Sequence, residues 1–255
     1  MNPGREAILR EMGLGPVWRL RAGPKADAPA PLGQVDSEVS RPPAGLPLCA
    51  DHPEASPSPA LNEVEEEDWD GLIARIDACR ACSLGHHRRQ AVPGVGDRRA
   101  DWLIVGEGPG AEEDLKGEPF VGQAGKLLDA MLATIGLERG KGVFIANAVK
   151  CRPPHNRTPE AEEVAACKPF LARQIELIAP RLIVALGRPA AQALLDQEVK
   201  IASARGRQFH YQQIPVLVTY HPAYLLRNPH DKAKAWEDLC FARRTMDQLR
   251  RQAGD

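Results

Sequence analysis

The chain reads as an α/β protein, a three-layer α/β/α sandwich built on a central parallel sheet of four strands. Three observations predict this. Four short apolar runs, Leu103-Ile104-Val105, Val143 to Val149, Arg181 to Gly187 and Val216 to Tyr220, have the length and unbroken hydrophobicity of strands buried on both faces. Helical segments separate or follow them, from about Gln123, from Pro159 to Ile178, from Arg188 to Gln197 and from Asp231 to Arg250. Strand and helix alternate, as parallel crossover connections require.

The first strand opens the stretch Trp102 to Leu128, around which the rest is organised. It breaks at Gly106-Glu107-Gly108-Pro109-Gly110, where three glycines in five residues let the backbone approach a ligand. A second turn, Gly117 to Gly122, offers the ring of Phe120. Ligands of open α/β sheets sit outside the carboxyl ends of the strands, so both loops are expected to line one pocket. A generic phosphate-binding turn is the competing reading of the glycines. The second strand carries Asn147 near its end and leaves through the basic, rigid loop Lys150-Cys151-Arg152-Pro153-Pro154. The fourth ends at His221, followed by Pro222 to Arg227 as a proline-punctuated apolar loop. Glu107, Phe120, Asn147 and His221 therefore fall at strand ends.

Upstream of the sheet the composition changes. Residues 5–21 form an apolar island in which Ile8, Leu9 and Met12 share a helical face and Val17, Trp18 and Leu20 follow. Residues 22–60 hold nine prolines and no apolar periodicity, the composition of a disordered linker. The expected organisation is a docking peptide at 1–21, a linker at 22–70 and the α/β domain at 71–255. Packing of the island on the core is the alternative. Residues 1–70 carry 6 basic and 13 acidic residues, a net of −7; the remainder carries 27 and 21, a net of +6. That asymmetry suits an anionic partner for the domain alone.

No apolar run approaches the ~20 residues of a membrane span, and the N-terminus lacks a signal peptide's apolar centre. The expectation is a monomeric cytoplasmic protein with no membrane partner, whose six cysteines are metal ligands or free thiols. Cys79 and Cys82 form a C-x₂-C pair, and fifteen residues separate Cys151 from Cys167. Such a set can bind zinc or an iron–sulfur cluster, and spacing alone leans to zinc. Cys49 and Cys240 read as free thiols.

The segments GEGPGAEED, GEPFVGQAG, NAVKCRPPHNRTP and YHPAYLLR, with CRAC upstream, resemble the family 4 uracil-DNA glycosylases. The resemblance covers roughly residues 72–250. It implies a 4Fe-4S cluster on Cys79, Cys82, Cys151 and Cys167, and uracil-containing DNA as the substrate, which would place the protein at the nucleoid. It also implies hydrolysis of the N-glycosidic bond in base excision repair. Residues 5–21 resemble the N-terminal peptide of the psi subunit of bacterial clamp loaders, implying a replication or repair protein as partner.

The chemistry fits those implied roles. Glu107, Gly108, Phe120, Asn147 and His221 would form the uracil pocket. Phe120 offers a flat face for the pyrimidine. Asn147 can accept from uracil N3–H and donate to O4, a pattern that cytosine reverses. His221 can donate to O2, where charge builds as the bond lengthens. Other branches of the superfamily carry an aspartate where this chain has Gly108 and use it to direct water. Here Glu107 takes that role, with Glu113 and Asp114 as lesser candidates. Arg80, Lys150, Arg152, Arg157 and Arg227 are expected on phosphates, and Leu225 or Leu226 as a wedge into the duplex, unless packed in the core. Two other readings are a branch that traps uracil-DNA covalently through a histidine, for which His155 fits poorly, and a non-catalytic replisome adaptor.

Overall fold

The computed structural model describes residue 64 and residues 67–254. The expected docking peptide at 5–21, most of the expected linker and Cys49 lie outside the described residues. Helices α1 (Trp69–Ala78) and α2 (Leu84–His87) lead into the edge strand β1 (Val95–Gly96) and then β2 (Trp102–Gly106). Helices α3 (Ala111–Lys116) and α4 (Gln123–Thr134) cross to β3 (Val143–Asn147), and α5 (Ala161–Ile178) crosses to β4 (Leu182–Leu186). Helices α6 (Arg188–Leu195) and α7 (Ile201–Ala204) precede the hairpin β5 (Gln208–Tyr211) and β6 (Ile214–Thr219); α8 (Pro222–Arg227) and α9 (Lys232–Ala253) complete the described fold.

The sheet order is β1-β3-β2-β4-β6-β5. The four expected strands are its parallel centre. The sheet is wider than expected, because β1 and β5 add an antiparallel strand at each edge. Both edge strands are short and only partly buried, so neither carries the apolar run that marks the central four.

Alternation along the strands sorts the core into layers. Trp102, Ile104, Val143, Ile145, Leu182 and Val184 face one way, against Leu128 and Leu132 of α4 and Leu239 and Met246 of α9. Leu103, Val105, Phe144, Ile183 and Val218 face the other, against Leu171 and Ile175 of α5 and Ala190 and Leu194 of α6. A third cluster joins Val64, Leu72, Ile76 and Leu84 to Cys151, Cys167 and Phe170.

That cluster moves the domain boundary upstream of residue 71. Val64 is buried, Asp68 caps α1 by accepting from the Gly71 amide at 2.9 Å, and Trp69 packs on Phe144 at 5.3 Å between ring centroids. Val64 and residues 67–70 therefore pack with the α/β domain, and Glu67, Asp68 and Asp70 of the acidic run come with them. The segment after His221 is also not the expected loop. Proline at N1 and a His221 side-chain cap start a helical turn, α8.

Candidate active site and cysteine site

The carboxyl ends of the parallel strands open into a cavity of about 710 Å³. Glu107, Gly108, Phe120, Asn147 and His221, expected around one pocket, all line it, and Arg227 joins them. Gly106 explains their proximity. A Cβ there would overlap both the Asn147 amide oxygen and the Phe120 ring, so glycine lets β2, β3 and the Phe120 loop converge.

Phe120 sits at φ 55°, a left-handed conformation that a bulky residue avoids unless its surroundings impose it. Arg139 imposes it, donating to the Pro119 carbonyl at 2.9 Å and the Phe120 carbonyl at 2.8 Å while pairing with Asp129. Gly125 makes room, since a side chain there would run into the Phe120 carbonyl. Glu113 ties the two glycine loops together. Its carboxylate accepts from Gly110 N at 3.1 Å, Val121 N at 3.0 Å and Gly122 N at 3.1 Å. That binding makes Glu113 a strut rather than a water-directing group. Asp114 is likewise corrected: it is buried away from the cavity and accepts from the Arg89 amide at 2.9 Å.

Asn147 is 2% exposed, and its Oδ1 has no hydrogen-bond partner among the described residues. Buried acceptors are rarely left unmade, so this one is available to a donor that enters the cavity. The His221 ring lies 5.4 Å from the Phe120 ring, tilted by 32°. Its Nδ1 accepts from the Ala223 amide at 3.2 Å, which leaves Nε2 to carry the proton of the neutral imidazole. Burial, and then Arg227, push its pKa down to about 4, so the ring is neutral at pH 7. Glu107 is pushed up by burial, against a hydrogen bond from Thr158 and the charges of Arg188 and Arg227. A carboxylate so raised is a better proton acceptor at neutral pH.

Several members of the site escaped the sequence reading. Arg188 opens α6 immediately after the β4 tip and faces the cavity; a basic residue following strand and glycine was the available signal. Tyr220 and Tyr224 stack at 5.0 Å on its wall, and Arg205 caps Tyr220 at 5.3 Å. Arg205 is itself held by Asp238 at 2.7 Å, which also accepts from Thr219 at 2.7 Å. No local pattern announces that tertiary network.

The expected DNA contacts divide. Arg227 is exposed at the cavity rim, and Arg152 is held by Asn156 at 2.8 Å. Arg157 lines the cavity and forks onto the buried Glu163 at 2.7 and 2.8 Å, holding that carboxyl down at about 2. Leu225 is 1% exposed and packs in the core, whereas its neighbour Leu226 is 43% exposed. Consecutive helical residues project about 100° apart, which buries Leu225 and leaves Leu226 at the surface. Lys150 is also corrected. It is 1% exposed and donates to Asn147 O at 2.8 Å and Gln174 Oε1 at 2.6 Å, beyond the reach of a phosphate.

Cys79, Cys82, Cys151 and Cys167 line a second cavity, with Ile76, Arg88 and Phe170. Burial pushes the Cys167 thiol up to about 12 and raises Cys151 as well. Two donors already address the sulfurs: Arg88 Nη1 at 2.9 Å from Cys151 Sγ and the Lys150 amide at 3.2 Å from Cys167 Sγ. Among the described residues no group of three or more His, Cys, Asp or Glu is arranged to hold a single metal ion. Cys240 stands apart as a half-buried free thiol on α9.

A sheet-end pocket with a flat aromatic wall, an unsatisfied amide and a neutral imidazole defines a site for a planar, hydrogen-bonding ring. Comparison with known proteins makes the class specific. The family model described as the uracil DNA glycosylase superfamily matches residues 93–240. The chain is 47% identical over 171 residues to the type-4 uracil-DNA glycosylase of Archaeoglobus fulgidus, covering 64% of this chain and 85% of that protein. It is 45% identical over 182 residues to the type-4 uracil-DNA glycosylase of Pyrobaculum aerophilum, covering 68% and 92%. With that of Thermotoga maritima it shares 47% identity over 165 residues, covering 64% and 85%. The chain belongs to the uracil DNA glycosylase superfamily, in its type-4 branch.

Proposed function

We propose that the protein is a monofunctional uracil-DNA glycosylase that hydrolyses the N-glycosidic bond of uracil in DNA and leaves an abasic site for base excision repair. The observation that carries this reading is the buried, unpartnered Oδ1 of Asn147, beside the Phe120 ring and the neutral His221. A stacked nucleotide cannot enter such a pocket, so the base must first leave the helix. Uracil N3–H then supplies the donor that Asn147 Oδ1 lacks, and the Asn147 amide donates to O4. Cytosine offers neither.

As the C1′–N1 bond lengthens, electrons collect on the departing base. The Nε2–H of His221 donates to O2, and because the imidazole is neutral it stabilises that charge without surrendering its proton. Glu107 accepts a proton from the water that attacks C1′, and the departing base anion takes up a proton in turn. Arg152, Arg188 and Arg227 suit phosphate contacts around the cavity, and Leu226 suits the gap left in the duplex.

Cys79, Cys82, Cys151 and Cys167 would hold a 4Fe-4S cluster. Cys151 and Cys167 are buried, raised by desolvation and already addressed by N–H donors, and the half-buried Cys79 and Cys82 line the same cavity, which suits a group that keeps all four as thiolates. Hydrolysis moves no electrons, so the group would supply a covalent tie between distant segments. Residues 5–21 are proposed as a docking peptide for a replication or repair protein.

The test is release of uracil from a single-uracil oligonucleotide, followed by alkaline cleavage and gel analysis. Strand cleavage at uracil and not at cytosine is expected. An iron-loaded, folded protein that leaves the oligonucleotide intact would overturn the reading in favour of a non-catalytic adaptor. A covalent protein–DNA product would favour the trapping branch.

A further inference from the structure

Lys150 is where the two sites meet. Its Nζ donates to the carbonyl of Asn147 at 2.8 Å and to Gln174 Oε1 at 2.6 Å. Its amide donates to Cys167 Sγ at 3.2 Å, and Cys151 is the next residue. Its carbonyl accepts from Val92 N at 2.8 Å, while Gln174 Nε2 donates to Pro93 O at 2.7 Å. Every polar group of this lysine is therefore pinned, and it is 1% exposed. Among the described residues no carboxylate forms an ion pair with it. Burying an ammonium is costly, and the two hydrogen bonds from Nζ offset that cost here.

At the other end, Asn147 Oδ1 has no partner among the described residues to hold the side chain. Its position depends on its backbone, held by the Lys150 ammonium on its carbonyl and by Ala148 N donating to Gly106 O at 2.9 Å. We propose that Lys150 is a positioning residue that couples the cysteine-bound centre to Asn147, so that occupancy of one site fixes the base-reading geometry of the other. This rests on the reading of the cysteine site as an iron–sulfur centre. Coupling between two sites is reciprocal, so a base bound at Asn147 must in turn stabilise the centre.

The experiment is loss of iron to a chelator, followed by absorbance, with and without saturating free uracil. Wild-type protein is expected to lose iron about fivefold or more slowly with uracil, the lower range of a typical coupling. Lys150→Met, which keeps the length of the side chain and removes its donors, is expected to lose iron equally fast in both. Its effect on single-turnover excision should largely vanish in an Asn147→Ala background, because both act through one interaction. The salt dependence of DNA binding should be unchanged, since no phosphate contact is lost. If Lys150→Met does not fold, Gln174→Leu, which frees one of the two Nζ partners, is measured by the same uracil-dependent iron loss and should reduce it. A uracil effect that is absent from wild type, or that survives intact in the variants, overturns the coupling. A wild-type protein without iron, or without uracil release, overturns instead the reading on which the coupling rests.

Discussion

In the proposed reaction Asn147 and His221 divide the work of the pocket, and their surroundings make each testable alone. Asn147→Asp places a carboxylate where Oδ1 already has no partner, and removes the donor to O4. Uracil excision should fall by about 10–100-fold, the cost of one buried unmade hydrogen bond. Unchanged kcat/KM for uracil would show that Asn147 does not read the base. His221 has a sharper signature in pH. Its pKa is lowered from 6.5 to about 4, so the unfolded chain binds a proton that the folded one refuses between those values. Its contribution to stability is complete above pH 6.5 and is lost as pH falls towards 4, by about 3 kcal/mol in total. Denaturant titrations across that range should show the loss in wild type and a shallower one in His221→Gln. Excision itself should show no inflection near 6.5, and His221→Ala should cost about 10²–10³ in rate, as for one oxyanion-type donor.

The elements do their work at their ends. The Phe120 turn is held in a left-handed conformation by Arg139 and by the absence of a side chain at Gly125. Gly125→Ala forces the Phe120 carbonyl off helix α4, and excision should drop by about 10²-fold, as for a misplacement of about 1 Å. Thermal melting should fall with it; a variant with normal excision would mean that the turn tolerates displacement. These strand ends were legible in the sequence because fully buried parallel strands read as bare apolar runs, with glycine, Asn147 or His221 at the stop. The edge strands were not, because β1 is two residues long and β5 alternates partly buried with exposed positions. Lys150 was misread for a related reason. Its charge and its loop neighbours point outward in sequence, and only the fold places Gln174 and the Asn147 carbonyl around it. Leu225 and Leu226 could not be told apart until α8 gave them a helical phase.

For the whole molecule, the cysteine site joins residues that are far apart in sequence, Cys79 and Cys82 on one side and Cys151 and Cys167 on the other. Purified protein should be brown, with broad absorbance near ~400 nm and iron bound by four thiolates. Colourless protein carrying one zinc per chain would remove the cluster. Cys79→Ala should lower thermal stability before it alters chemistry, because the tie it breaks lies outside the pocket. The domain itself begins by Val64, so a deletion of residues 1–60 removes the apolar island and the proline-rich stretch but only a net charge of −1. Excision on short oligonucleotides, DNA affinity and melting midpoint should all stay as in the full chain. A fall of several degrees, on the order of 1–2 kcal/mol for a domain of this size, would instead mean that the island packs on the domain.

The strand order β1-β3-β2-β4-β6-β5 also carries a timetable. Among the central strands the ribosome delivers β2 first; β3 then docks on one flank, β4 on the other and β6 beyond it. Each arrival therefore finds its neighbour already made, and the parallel sheet can grow outward during synthesis. Phe120 and Asn147 emerge early on that schedule, with all four cysteines in place by Cys167. His221 follows the last strand. A nascent chain can thus carry the proposed base-reading wall and all four cysteines while still lacking His221, and helices α8 and α9 come later still.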